Sequence, residues 1–183
     1  MQVEDGAGKG NKVEVDDENL FHTESVTISE EHHVNQDHSD SYHVVFIASG
    51  ILPNTPFVYL KNTNDKDMVI EGFRLHTPCD AVVKVVKEPT VTTVLGAANT
   101  PANMNIGAGL AADGLFYTAM SGAISGVTGG TVIDRVYYCS GCSDRHINFE
   151  MDVIVQKNKD VAWVTECCSG CHIAGTIPIY FHD

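Results

Sequence analysis

Short runs of β-branched and aromatic residues, separated by clusters of Gly, Asn, Asp and Pro, dominate the chain from residue 41 onward. Runs of this kind, bounded by turn-forming residues, are typical of β-strands. No stretch has the apolar spacing of an amphipathic helix. The pattern therefore predicts an all-β fold, an antiparallel β-sandwich or jelly roll of about nine or ten strands. The runs are 41–49, 56–62, 66–76, 80–88, 115–120, 131–138, 146–155, 161–166 and 172–181.

The clearest alternation lies in the run 147–155, where every second residue is apolar. A period of two places one face of a strand in the core, so we predict that these apolar side chains are buried. A polar break at 157–160 separates this run from the next, which predicts a hairpin between 147–156 and 161–166. The apolar positions are Ile147, Phe149, Met151 and Val153.

Two segments do not fit the strand pattern. Residues 1–22 are acidic, contain glycine and have few large apolar side chains, so they cannot bury enough surface to offset the entropy of ordering. We predict a flexible N-terminal arm at 1–22, which either stays disordered or orders on a neighbouring subunit, followed by one β-sandwich domain at 23–183. Residues 96–114 are rich in Gly, Ala and Asn and predict a long ordered loop, which in a compact sandwich tends to be functional.

The charge of the chain limits its partners. The formal net charge is −13, which argues against a nucleic-acid partner because phosphate binding needs a basic face. No apolar run approaches the length of a membrane span, and the first ten residues lack the apolar core of a secretory signal. We therefore expect no membrane association. We also expect synthesis in a reducing cytoplasm, where paired cysteines favour metal binding over disulfides.

The sequence Cys-Ser-Gly-Cys occurs twice, at 139–142 and at 168–171. If the predicted hairpin forms, the two copies flank its open end, and a cysteine-bearing hairpin at 139–172 would bring four thiols together. The Ser-Gly pair lets the backbone turn tightly around a metal, as in a zinc knuckle. This predicts a closed, structural zinc site with His146, Cys167 and His172 as substitute ligands. The predicted zinc ligands are Cys139, Cys142, Cys168 and Cys171.

Alternatives to zinc stay open at this point. The spacer between the two pairs is longer than the about 15–20 residues usual in zinc ribbons. Each pair could instead close a small disulfide, disulfides could link the two pairs, or the thiols could be buried and inert. A redox role is disfavoured, because no βαβ pattern or helix N-terminus is present to lower a thiol pKa. Cys79 stands apart and is interpreted as a small buried apolar residue.

Other clusters are better explained by structure than by chemistry. Four histidines at 32, 33, 38 and 43 lie among carboxylates, and we expect a solvated edge or loop whose rings no regular spacing brings together. The stretch 62–67, Asn-Thr-Asn-Asp-Lys-Asp, lacks the glycine and distal glutamate of a calcium loop and predicts an Asx turn. No nucleophile with a matching base is recognisable. We therefore expect that the chain is not an enzyme.

Several phrases together resemble a set of tailed-bacteriophage virion proteins. They are PFVYLKNTNDKDMVIEGFRL at 56–75, NTPANMNIGAG at 99–109, MDVIVQKNKDVAWVTE at 151–166 and IAGTIPIYF at 173–181. The best-defined members of this set look like the decoration (cement) proteins of siphovirus capsids, with related domains in tail spikes. The resemblance covers about residues 42–181 and lies in the order of phrases and the rhythm of strands. The two Cys-Ser-Gly-Cys pairs depart from the family pattern.

The resemblance implies a structural virion protein on the outer surface of a bacteriophage capsid. It implies a β-sandwich subunit that forms a homotrimer, binds the major capsid protein and stabilises the shell by clamping neighbouring capsomers. The arm at 1–22 and the loop at 96–114 are candidate contacts for such assembly. The alternative is a receptor- or carbohydrate-binding module of a tail spike or fibre. The single tryptophan, Trp163, weakens this alternative, because carbohydrate sites favour exposed aromatic side chains.

Overall fold

The structure, a computed structural model, describes residues 30–119, 124–139, 145–167 and 170–182. The predicted arm at 1–22 lies outside these residues. A single α-helical turn, α1 (Glu30–His33), runs into a π-helical turn at Val34–His38. The described strands are β1 (Ser41–Ile51), β2 (Pro56–Asn62), β3 (Asp67–His76), β4 (Ala81–Lys87), β5 (Thr90–Leu95), β6 (Ala97–Ala98), β7 (Ala102–Asn103), β8 (Gly114–Thr118), β9 (Ser125–Thr128), β10 (Thr131–Tyr138), β11 (Arg145–Val155), β12 (Asp160–Cys167) and β13 (Cys171–His182).

These strands form two main antiparallel sheets. The five-stranded sheet has the order β11-β3-β13-β1-β7, and the six-stranded sheet has the order β10-β4-β12-β2-β8-β6. Strands β5 and β9 form a separate two-stranded sheet. The prediction of an all-β antiparallel fold is confirmed, since 66% of the described residues lie in strands.

The inner faces of the two main sheets form one hydrophobic core. Phe73 on β3 packs edge-to-face against Trp163 on β12, with ring centroids 6.0 Å apart. Phe46 on β1 and Phe57 on β2 make a second contact between the sheets, at 5.7 Å. All four rings are at most 3% exposed. The alternation read from the sequence thus supplies apolar side chains from both layers of a β-sandwich.

The predicted hairpin between 147–156 and 161–166 is wrong. Strand β11 pairs with β3 in the five-stranded sheet, whereas β12 lies between β4 and β2 in the six-stranded sheet. The tight turn at 156–159 therefore crosses from one sheet to the other. A polar break between two strands indicates that the chain reverses, and it does not specify whether the strands pair or face each other across the core.

The predicted burial of β11 is correct for three of its four apolar positions and wrong for Met151. Ile147, Phe149 and Val153 are partly buried and pack against the core, but Met151 is 85% exposed. The register between β11 and β3 shifts between Asn148 and Val153, so the intervening residues bulge out of the sheet. A bulge breaks the period of two and turns a side chain that the alternation assigns to the core toward solvent.

The histidine-rich segment contains the only helical turns of the described residues. Val34 is buried against Val69 and Tyr180, which places the segment on the outer face of the five-stranded sheet. His33 and His38 contact each other edge-to-face at 5.5 Å, so the expectation that these rings lie apart is wrong for this pair. Among the described residues, no helix is long and apolar enough to cross a lipid bilayer.

Candidate assembly interface

Exposed large apolar side chains of the described residues are concentrated at the two lateral edges of the sandwich. The central strands β2, β3, β4, β12 and β13 contribute none of them. At one edge, which we call the loop side, they are Val45, Ile47, Met104, Ile106, Leu110 and Leu115, while Leu52 lies in the β1–β2 turn, where its carbonyl oxygen accepts from Thr165 of β12. At the opposite edge, which we call the β10–β11 side, they are Val132, Ile133, Tyr137, Met151 and Ile154.

The loop side is built from β1, β8 and the segment 99–113, which belongs to the predicted loop at 96–114. That loop prediction is confirmed, since only the two-residue strands β6 and β7 interrupt it. Ile106 at its tip is 98% exposed. Val45 and Ile47 on β1 are 54% and 68% exposed, and the outer edge of this strand pairs with β7 at Tyr42 and His43.

Asparagine side chains fix the conformation of this loop. The Nδ2 group of Asn103 donates to the carbonyl oxygen of Ser39 at 2.8 Å, and its Oδ1 accepts from the backbone N–H of Asn105 at 2.7 Å. Asn105 Nδ2 donates to the hydroxyl of Ser39 at 2.8 Å. Asn99 Nδ2 donates to the carbonyl oxygen of Val45 at 2.7 Å. Ile106 is therefore presented on an ordered loop, which lowers the entropy lost when it binds a partner.

The β10–β11 side is an open cleft between the edge strands of the two sheets. Its cavity volume is about 760 Å³, and residues 133–137 and 147–153 form its walls. Tyr137 is 67% and Met151 85% exposed at this cleft. Arg135 is held by Glu166, with its Nε and one terminal nitrogen 2.9 Å and 3.0 Å from the two carboxylate oxygens. The other charged groups in the walls of this cleft are the carboxylates of Asp134, Glu150 and Asp152.

The strands that precede the two Cys-Ser-Gly-Cys segments, β10 and β12, finish at the same end of the six-stranded sheet. Tyr138, just before Cys139, pairs with Ala81, and Cys167 pairs with Val82, so the two strands finish on either side of β4. Strands two positions apart in a sheet are separated by about 10 Å. The two strands that lead into these segments therefore finish close together, by a topology different from the predicted hairpin.

The described cysteines have different environments. Cys139 is exposed and forms a disulfide, and its partner lies outside the side chains that the structure describes. Cys171 is a thiol, 1% exposed, within the hydrophobic core, and Cys79 is a half-buried thiol packed against that core. Cys142 and Cys168 lie outside the described residues. Within the described part of the chain, no three His, Cys, Asp or Glu side chains form a metal-binding group. The zinc site at the four cysteines stays a prediction.

A second concave surface lies on the outer face of the five-stranded sheet. Its volume is about 360 Å³, and its polar lining includes His43, Glu71, Arg74, His146 and Asn148. These residues sit on three strands that are far apart in the sequence, so no local motif could have revealed them. Acidic and basic groups are mixed in this lining, which gives it no single charge preference.

Comparison with known protein families, with curated proteins and with solved structures found no match to this chain.

Sequence reasoning identified the loop side only in part. The loop at 96–114 was recognisable from its length and its small residues, but the exposure of Val45 and Ile47 depends on which strand lies at an edge. The β10–β11 side was missed, because alternation assigned Met151 to the core. The absence of a charged residue from 99–112 is the one signal that could have directed attention to the loop side.

Proposed function

We propose that the chain is a structural virion protein that binds the outer surface of a bacteriophage capsid as a trimer and stabilises the shell by clamping neighbouring capsomers. The observation that carries this proposal is the concentration of exposed apolar side chains at the two lateral edges of the sandwich. Contiguous exposed apolar surface at an edge is typical of a protein–protein interface. The resemblance of 42–181 to capsid decoration proteins supports the choice of shell as partner.

Electrostatics and geometry fit such a role. A net charge of −13 keeps unassembled copies soluble and apart. A trimer presents three copies of each contact surface, so modest individual contacts with several capsomers combine into tight binding. The partner in this proposal is the major capsid protein, and the protein is made in the host cytoplasm before it joins the particle.

Two measurements test the proposal. The number of copies per purified particle, determined by quantitative mass spectrometry, should be in the hundreds, and particles lacking the protein should break at a lower temperature. Adding purified protein to such particles should restore their heat resistance and saturate at the same copy number. A handful of copies per particle, or no effect of the protein on shell stability, contradicts the proposal.

A receptor- or carbohydrate-binding module of a tail spike or fibre is the second candidate. Tyr137, 67% exposed beside the carboxylates of the β10–β11 cleft, favours it, because sugar rings stack on aromatic side chains and hydrogen-bond to carboxylates. Trp163, by contrast, is completely buried. Binding of purified protein to host-surface glycans that is lost in Tyr137→Ala, together with few copies per particle, is the result this candidate requires.

We propose that the two Cys-Ser-Gly-Cys segments stabilise the end of the sandwich at which β10 and β12 finish, by a cross-link that we call the fastening. Zinc and disulfides are distinguished by thiol titration of the denatured protein with chelator and without reductant. A zinc site at Cys139, Cys142, Cys168 and Cys171 leaves all six cysteines titratable, with about one zinc per chain by elemental analysis. A disulfide at Cys139 leaves no more than four. Six titratable thiols without zinc contradict both forms of the fastening.

A further inference from the structure

We propose that copies of this chain bind one another side to side, with the loop side of one copy packed into the β10–β11 cleft of the next. Ile106 and its neighbours on the ordered loop then fill the apolar part of that cleft. This inference rests on the proposed function, since it assigns the surfaces through which the proposed trimer forms. The occupant of each surface is a second copy of this chain.

The two surfaces match in apolar area. Taking roughly 100 Å² for a fully exposed aliphatic side chain and about 200 Å² for tyrosine, their exposed fractions give about 360 Å² on each side. Because a little more than half of an interface is apolar, each side supports a contact of about 600 Å². A stable interface buries about 800 Å² per partner.

The charges favour contact between the loop side and the β10–β11 side over contact between two β10–β11 sides. The β10–β11 cleft carries Asp134, Glu150 and Asp152, and packing this side against its own copy would crowd six carboxylates together. The segments that form the loop side, 41–51 and 99–118, contain a single Asp, Glu, Lys or Arg residue, Asp113. An almost uncharged surface meets the acidic cleft without repulsion between like charges.

The position of the two sides determines the symmetry of the assembly. They lie at opposite lateral edges of the same two sheets, with β11 and β10 at one end and β1, β7, β8 and β6 at the other. A contact between unlike surfaces repeats from copy to copy, and it gives a closed ring if the rotation between copies closes. A ring of three copies satisfies every loop side and every cleft.

The test introduces one charge on each side. Ile106 and Met151 are 98% and 85% exposed, so Ile106→Glu and Met151→Glu should leave the fold of a single copy intact, as far-UV circular dichroism and the melting temperature can verify. Each variant alone should lose association at concentrations where the unaltered chain is trimeric, as measured by sedimentation velocity. Thr93→Glu, on exposed β5 and outside both sides, is the matched control and should stay trimeric.

Mixing the two variants tests the pairing itself. Met151→Glu keeps an intact loop side, and Ile106→Glu keeps an intact cleft, so an equimolar mixture should form a heterodimer of twice the monomer mass and nothing larger. Native mass spectrometry with one variant isotopically labelled identifies that species. A mixture that stays monomeric, or a variant that still forms the unaltered oligomer, overturns the inference.

The outcome separates this inference from the proposed function. A chain that is monomeric at every concentration, yet saturates capsids and protects them from heat, overturns the side-to-side contact and leaves the shell-binding function standing. A chain that forms the predicted heterodimer but never binds a capsid supports the contact and contradicts the proposed function.

Discussion

Asn62 joins separate parts of the chain although its side chain is completely buried. Its Nδ2 group donates to the carbonyl oxygens of Lys66 and Val155, each at 2.8 Å, and its Oδ1 accepts from the backbone N–H of Asn64 at 2.9 Å. The backbone N–H of Asn62 donates to the carbonyl oxygen of Lys159 at 3.1 Å. The predicted Asx turn at 62–67 is confirmed, and no local pattern indicated that the same amide also reaches β11.

Replacing Asn62 should destabilise the fold more than replacing its neighbour in the turn. Asn62→Ala leaves buried carbonyl groups without donors, which should lower the free energy of unfolding by about 2–4 kcal/mol. Asn64→Ala removes one bond, which the backbone N–H of Lys66 donates to Asn64 Oδ1 at a half-buried site, and should cost about 1 kcal/mol. Urea denaturation of both variants gives the comparison, and equal losses would contradict a special role for Asn62.

Tyr59 gives the protein a pH-dependent stability in the alkaline range. Burial, together with the hydrogen bond that its hydroxyl donates to Asp160 Oδ2 at 2.8 Å, raises the pKa of Tyr59 above its usual value of 10. Above about pH 10 the unfolded chain therefore releases a proton that the folded chain keeps, so stability falls as the pH rises. The full contribution of Tyr59 is present below that pH.

Tyr59→Phe should weaken this dependence. Between about pH 10 and pH 11, the free energy of unfolding should fall less steeply in the variant, by up to about 1.4 kcal/mol per pH unit. Urea denaturation at several alkaline pH values measures the slopes, and the difference between the proteins at neutral pH provides the baseline. Parallel slopes would show that Tyr59 does not keep its proton.

At the scale of elements, the sequence predicted where strands occur much better than how they pair. Periodicity depends on which face of each strand is buried, so the runs at 56–62 and 161–166 were recognisable as β2 and β12. Pairing depends on contacts between distant segments, which no local pattern records. The hairpin at 157–160 failed for this reason, and the burial of Met151 failed because a bulge changes the period within β11.

The position of β11 against β3 depends on Gly72. A Cβ atom at residue 72 would collide with the carbonyl oxygen of Ile147, on the part of β11 that precedes the bulge. Backbone atoms cannot rotate away as a side chain can, so a larger residue must push the two strands apart. Close approach of the strands therefore accounts for the glycine in the middle of β3.

Gly72→Ala should destabilise the protein by about 1–3 kcal/mol, the usual cost of overpacking. Gly107→Ala is the matched control, because a Cβ there meets nothing closer than the side-chain oxygen of Asn105 at 3.8 Å. We expect the control to be within about 0.5 kcal/mol of the unaltered protein in chemical denaturation. A neutral Gly72→Ala variant would mean that β11 is free to move away from β3.

At the scale of the whole molecule, the candidate interface could be read from the sequence only in fragments. The core is described by local alternation, but an interface at an edge requires knowledge of the strand order. The runs of apolar residues in β1 and β11 resemble the run in β3. Only the sheet order makes β11 an edge strand and β1 a near-edge strand. The acidic net charge was evident from the start, and it gives the assembly its salt dependence.

Association of the copies should strengthen as salt is added. Each copy carries a net charge of −13, so self-association brings like charges together, while the contact proposed between the sides is apolar. Raising the ionic strength from about 0.01 M to about 0.1 M shortens the Debye length from about 30 Å to about 10 Å and screens this repulsion. Sedimentation velocity over this range should show tighter association, whereas weaker association would point to ion pairs between copies.

Strand β13 occupies the middle of the five-stranded sheet, between β3 and β1. Until β13 has left the ribosome, two strands made much earlier have an empty place between them. Folding of this sheet must therefore wait for β13, and a product that stops before this strand would have a divided sheet and an exposed core that proteases can attack.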